Sequence, residues 1–368
     1  MQKKKPLLAC AALLTGSLLT LSGTMAQATS APGTAGTRAV GLLAADALYV
    51  APDGGDDAAG TESDPTTLSS AIGRVTPGGT IYLRGGTYAY SETVTIPPGN
   101  DGTSGARTTL AAYPDETPVL NFSAMSEDPA NRGLAVNGAY WHIDGIVVEH
   151  AGDNGIFVGG SHNVVEHVIT RFNHDSGLQI SRIASDTPHD EWPADNLILS
   201  SESHDNLYTK SETGPIGPVT IEDSLSYDNG TLSDGTVNSD GDRNGYKLGG
   251  DGIEVDHVVR RNIAYNNGHH GFTYNSNPGS MSVSGNVSID NAERNFSFDK
   301  GTSVFRDNVS CRSGDGSNDK TVGDADSSNQ FWTGSNGSSC SAYAGAMDWS
   351  FAADGSLVVT FGGEKVTP

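Results

Sequence analysis

Asn163-Val164-Val165-Glu166-His167-Val168-Ile169 and His257-Val258-Val259-Arg260-Arg261-Asn262-Ile263 are the stretches on which the fold turns. Each holds short groups of Val and Ile separated by two or three polar residues. That is the spacing of short strands and not the recurrence of an amphipathic helix. A polar residue and a Gly stand beside such groups at Asp153-Asn154-Gly155-Ile156, Asp175-Ser176-Gly177-Leu178, Asn244-Gly245-Tyr246 and His270-Gly271-Phe272. Gly155 and Gly177 are 22 residues apart, and Gly245 and Gly271 are 26 apart. A second set of corners interleaves: His204-Asp205-Asn206, Asp228-Asn229-Gly230, Asn266-Asn267-Gly268 and Asp290-Asn291. A period of 22 to 26 residues built from strands alone is that of a solenoid.

Stacked coils bury such groups best. Each coil would lay about three strands of roughly 3 to 5 residues on those of the coil before it, ~4.8 Å away. Val, Ile and Leu then point inward. Asn and Gly accept the left-handed backbone that a tight corner needs, and stacked Asn side chains can hydrogen-bond from coil to coil. A leucine-rich repeat lacks its Leu spacing here, and a propeller needs blades of about 40 residues or more. The expected class is all-β, a parallel β-helix.

Working outward, residues 47–311 are expected to form this helix with its amino-terminal cap. The cap region carries a helix around Leu68–Val75 and strands at Thr80–Leu83, Val94–Ile96, Thr109–Ala112 and Val119–Phe122, with Gly85–Tyr88 read as a turn. Residues 312–368, with Phe331-Trp332, Trp349, Phe351 and Leu357-Val358-Val359 among Gly, Ser and Asp, suit a closing cap. Residues 29–46 read as a flexible leader. Residues 1–28 read as a signal peptide: Lys3 to Lys5, the apolar run Leu7–Leu21, then Ala26-Gln27-Ala28. The protein is therefore expected outside the cell, with no membrane association after cleavage and as a monomer. Cys10 leaves with the signal, so Cys311 and Cys340 are expected to form one disulfide. A formal net charge of −23 makes nucleic acid a poor partner.

Four stretches resemble polysaccharide lyase family 9. They are Asn163–Trp192, containing Ser176-Gly177-Leu178-Gln179-Ile180-Ser181-Arg182; Ser203-His204-Asp205-Asn206; Gly214-Pro215-Ile216-Gly217-Pro218-Val219-Thr220-Ile221-Glu222-Asp223-Ser224; and Asn244-Gly245-Tyr246-Lys247-Leu248-Gly249-Gly250. The resemblance implies a secreted pectate lyase with a right-handed parallel β-helix. It also implies cleavage of polygalacturonate by β-elimination, with calcium and a Lys base, and it gives that role to Lys247. The chain departs from the family in one place. Members usually carry about one more coil between the His-Asp-Asn corner and the strand that here reads Leu207-Tyr208-Thr209-Lys210, and that coil bears the usual calcium ligands.

β-Elimination removes the C5 proton of a uronate. The developing charge falls on a group that is already negative, so a cation there stabilises the intermediate. The base must be neutral, which nearby positive charge or partial burial favours for a Lys. Arg243, four residues before Lys247, could hold a substrate carboxylate. Asp205 and, one coil lower, Asp175 could rebuild a calcium site beneath Lys247, with Asp228, Asp240 and Asp242 nearby in sequence. The alternative is that these acids only cap corners, leaving a non-catalytic or degenerate β-helix that binds wall polysaccharide. His162, His167, His174, His204, His257, His269 and His270 show no spacing specific for zinc and read as turn or surface residues.

Overall fold

The computed structural model describes residues 47–206, 216–232, 235–237, 242–352 and 356–366. The expected signal and leader, and Asp240, lie outside them. The chain winds into stacked coils whose strands form three columns of parallel pairs, a right-handed parallel β-helix. The first column runs as an 11-stranded sheet from Ala47–Gly55 to Asp324–Ala325. The second runs as a nine-stranded sheet from Gly86–Ala89 to Val309–Cys311.

The third column is in two pieces among the described residues. One piece holds Val94–Ile96, Leu134–Val136, Ile156–Val158 and Leu178–Ile180; the other holds Tyr246–Lys247, His270–Thr273, Arg294–Phe298 and Lys320–Thr321. Between them lies the coil of Asn196–Leu199 and Glu202–His204, which gives no third strand among the described residues.

The other two columns cross this level without a break. Leu197 pairs with Val164 below and Thr220 above, and Ser203 pairs with Thr170 below and Ser226 above. The corner beyond the second column explains the regularity. A residue with left-handed backbone precedes each buried Asn: Phe172 before Asn173, Asp205 before Asn206, Asp228 before Asn229 and Asn266 before Asn267. The Asn amides then bond in series, Asn173 to Asn206 at 2.9 Å, Asn206 to Asn229 at 3.1 Å and Asn229 to Asn267 at 2.9 Å. A second ladder joins Asn262, Asn286, Asn308 and Asn329 between the first two columns. Buried amides in such a row satisfy one another, which a solenoid core otherwise could not do for them.

The apolar core divides at the level where the third column breaks. One cluster extends from Val50 and Leu68 through Trp141 to Ile198. The next begins with Leu248, Val259 and Phe272, and the partly buried Ile221 touches both. Two adjoining cavities of about 130 Å³ each occupy the junction, lined in common by Leu178, Ile198, Ile221, Gly245, Lys247 and Leu248.

At the amino-terminal end the helix Leu68–Arg74 inserts Leu68, Ala71 and Ile72 into the core. Thr67 caps it by accepting the Ser70 N–H at 3.2 Å. The stretch read as a turn at Gly85–Tyr88 becomes instead the strand Gly86–Ala89, paired with Pro118–Asn121. Tyr88 holds it there, burying its ring and donating its hydroxyl to the Val50 and Arg84 carbonyls.

At the other end the coils continue past residue 311. Lys320–Thr321 stacks on the third column, Asp324–Ala325 on the first, and Gln330 bridges to Val309. The antiparallel strands Met347–Phe351, Leu357–Phe361 and Glu364–Val366 lie against the outer face of the second column. They cover Leu225, Ile263, Val287 and Ile289 with Val359, Phe361 and Val366. Cys311 and Cys340 are joined, with Cα atoms 5.6 Å apart.

Candidate active site

Lys247 stands on the strand that restarts the third column. Its neighbour Tyr246 turns inward and stacks on Phe272, ring centroids 4.7 Å apart and nearly parallel. Burial raises the Tyr246 hydroxyl well above its ordinary range. That anchor leaves Lys247 at the two cavities, its side chain only 9% exposed, with Nζ against the Asp242 carboxylate. To act as a base, Nζ must surrender its proton and its hold on Asp242. The Asp242 backbone carbonyl faces His269 Nδ1 at 3.1 Å, so one residue ties Lys247 to the coil above. Sequence reasoning noted Asp242 only as an acid nearby. The five-residue spacing to Lys247 did not reveal the pair, because the backbone turns at Arg243, whose φ is +46°.

Arg243 lies across two glycines. A Cβ on Gly230, where φ is +105°, would fall 2.6 Å from the Arg243 Cγ, and one on Gly268 would fall 3.0 Å from its Cβ. These glycines leave room for the Arg stem.

Neither Asp205 nor Asp175 belongs to a converging group of three or more potential ligands among the described residues. Asp205 Oδ2 meets His204 Nδ1 at 2.5 Å. The His204 ring stacks on Tyr227, whose hydroxyl donates to Glu202 Oε1 at 2.7 Å and accepts from Trp349 Nε1 at 3.1 Å. Asp205 is thus tied to a network beneath the carboxy-terminal sheet. Burial in this network pushes the Glu202 carboxyl up to about 7. Asp175 is buried one coil lower on the same bend, two residues past Asn173, and its backbone N–H donates to the Asp153 carbonyl at 3.0 Å. The Asp153 carboxyl is raised by burial, while Asn154 and Asp175 hydrogen-bond to it.

Among the described residues two groups of three or more potential ligands converge: His269, His270 and Glu293; and His142, Asp144 and Glu166. Neither contains Asp175 or Asp205. Calcium takes about six to eight oxygens, and the described residues offer no such set beside Lys247.

Several histidines read as surface residues are buried. His257 is 4% exposed, accepts the Val219 N–H on Nδ1 at 3.1 Å, and is pushed down to about 4 by burial. His270 is likewise pushed down to about 4, by burial first and by His269 next. Glu293, absent from the sequence-based candidates, reaches His269 because the two lie 24 residues apart, one coil period. That period was the signal that could have found it.

A family profile described as "Pel9A-like, right handed beta helix region" matches residues 48–217 and 207–318. "Pectate lyase L" of Paenibacillus polymyxa (strain SC2) is 44% identical over 345 residues, which cover 83% of this chain and 76% of that protein. "Pectate lyase L" of Thermoclostridium stercorarium is 38% identical over 68% of this chain, a match that spans 23% of that much longer protein. The crystal structure of pectate lyase Pel9A superposes with a TM-score of 0.63 at 28% identity, covering 80% of this chain and 81% of that one. By profile, identity and coils together, the chain belongs to the Pel9A-like right-handed β-helix family, polysaccharide lyase family 9.

Proposed function

We propose that the protein is a secreted pectate lyase that cleaves polygalacturonate by β-elimination with Lys247 as the base. The observation that carries this reading is the position of Lys247. It is a largely buried amine at cavities on the interrupted column, in a chain 44% identical to a named pectate lyase. In the reaction Nζ, once neutral, takes the C5 proton of a uronate. The electron pair forms the C4–C5 double bond, and the glycosidic oxygen leaves C4 and takes up a proton. Arg243 would hold a substrate carboxylate.

Calcium, expected from the resemblance, would stabilise the developing charge on the uronate carboxylate. The donor set does not fit it: no converging group of three or more potential ligands among the described residues includes Asp175 or Asp205. No step is therefore routed through the ion. The signal-like residues 1–28 and the Cys311–Cys340 disulfide support a place outside the cell.

A second reading has its own support. Lys247 is paired with Asp242, and no converging ligand group among the described residues includes the expected aspartates. Those facts favour a β-helix that binds wall polysaccharide without cutting it. The test is to incubate the folded mature chain with polygalacturonate, with calcium and with chelator, following the ultraviolet absorbance of unsaturated ends. Product supports the lyase. Retention on immobilised pectate without product under either condition supports the binding protein and removes the lyase.

A further inference from the structure

We propose that His269, His270 and Glu293 form a binding site for a divalent transition metal ion, of the zinc or cobalt class, one coil beyond Lys247. His269 begins the corner before the strand His270–Thr273, and Glu293 precedes Arg294–Phe298 on the next coil. The imidazole rings of His269 and His270 stack with centroids 3.9 Å apart. Both Nε2 atoms face the same carboxylate oxygen, Glu293 Oε2, at 2.7 Å from His269 and 3.9 Å from His270.

The contacts of these groups suit a shared cation. His269 Nδ1 faces the Asp242 carbonyl, which can only accept, so that nitrogen carries the proton. A carbonyl on the far nitrogen is the arrangement that orients a metal-bound His and leaves Nε2 with its lone pair. That lone pair then points at a carboxylate oxygen, a repulsive contact unless a proton or a metal ion lies between. His270 is 9% exposed, and its Nδ1 is buried with no hydrogen-bond partner. Glu293 Oε1 is already taken by the Arg294 guanidinium, which leaves Oε2 for the imidazoles. Arg294 opposes a nearby cation, but its contact on Oε1 also fixes the carboxylate plane.

The other converging group differs in this respect. His142 pairs with Glu166 Oε2 at 2.8 Å, while His167 pairs with Asp144 at 2.8 Å and meets the other Glu166 oxygen, Oε1, at 3.6 Å, so no two imidazoles share one oxygen. In the site proposed, two imidazoles share one oxygen. Two nitrogens and one carboxylate oxygen leave a fourth, open position for water, the ligand count of exchangeable zinc sites. Imidazole with carboxylate selects zinc, cobalt or nickel over calcium. This proposal does not rest on the lyase reading.

The test is direct. The full mature chain, stripped with chelator and dialysed, is titrated with zinc by calorimetry and with cobalt by visible absorption. One ion per chain is expected, with cobalt d–d bands. His269→Ala and Glu293→Gln should each weaken zinc binding by at least tenfold and abolish the bands, with circular dichroism unchanged. His142→Ala should leave both readouts intact. No bound zinc in the wild type, or binding that survives both substitutions, overturns the proposal. So does binding lost only on changing His142.

Discussion

The second column and the third meet the same coil in opposite ways. Along the second column Ser203 pairs with Thr170 and Ser226, and Asn206 joins the buried ladder between Asn173 and Asn229. Along the third, the described strands stop at Leu178–Ile180 and resume at Tyr246–Lys247, with cavities between. The contrast shows what a solenoid demands of its sequence. A column runs on through a level when the corner that follows keeps the same phase. Here the αL–Asn pair at Asp205-Asn206 does so. Loss of part of a coil would have turned the inward residues outward. Among the described residues the third column has no Asn ladder across the same level, and Lys247 stands at its opening.

The most severe test of this contrast is the ladder itself. Asn206→Ala removes a fully buried amide that bonds to Asn173, Asn229, Thr170 and Ser203. Leaving several of those partners unsatisfied should cost about 4 kcal/mol. Asn286→Ala, deep in the uninterrupted part of the other ladder, should cost a similar amount. Urea denaturation compares the two. A cost at Asn206 of less than half that at Asn286 would mean that the ladder is not continuous across the shortened level.

The two regions also carry pH dependence of opposite sign. Glu202, in the network under the carboxy-terminal sheet, is raised from 4.5 to about 7. Between those values the folded chain holds a proton that the unfolded chain has released, so stability falls as pH rises through this window. The full effect is about 3 kcal/mol, and Glu202→Gln should remove it. His257, at the cavities, is lowered from 6.5 to about 4. Its contribution is present above pH 6.5 and is lost as pH falls toward 4. His257→Asn should remove that acid-side loss and leave the Glu202 slope. Denaturation midpoints across pH 4 to 8 read both, and slopes of the same sign would break the contrast.

The smallest expected effect concerns packing. Ile143 is wholly buried in the continuous core, whereas Ile198 lines both cavities. Ile143→Ala should cost about 4 kcal/mol and Ile198→Ala about 2, because a side chain beside a void has fewer contacts to lose. Equal costs would indicate that the junction is packed as tightly as the rest.

The coils were legible in the sequence because burial and corner chemistry repeat with the chain. Val164-Val165, Val258-Val259 and the Asn at each corner announce themselves by period, as does the capping helix at Leu68 by its apolar face. Gly86–Ala89 was not legible, since a Gly-Thr-Tyr strand has no apolar signature and depends on Tyr88 reaching the Val50 and Arg84 carbonyls. Lys247 was singled out through its family motif. Its partner Asp242 was not, because the turn at Arg243 decides which neighbour comes back to the amine. Asp175 and Asp205 do follow the second column on adjacent coils, as the period implies, but the period does not say which other groups their carboxylates meet. The metal-binding group escaped because its third member comes from the next coil, and only the period connects His269 to Glu293.

The central claim is that Lys247 acts as a base where the third column is interrupted. The most direct measurement compares the initial rate of unsaturated product from polygalacturonate for the wild type and for Lys247→Ala, with both shown to be folded by circular dichroism and urea denaturation. The account predicts measurable product from the wild type and a loss of about 10²- to 10⁴-fold in the variant. A folded Lys247→Ala chain that forms product at the wild-type rate would contradict it.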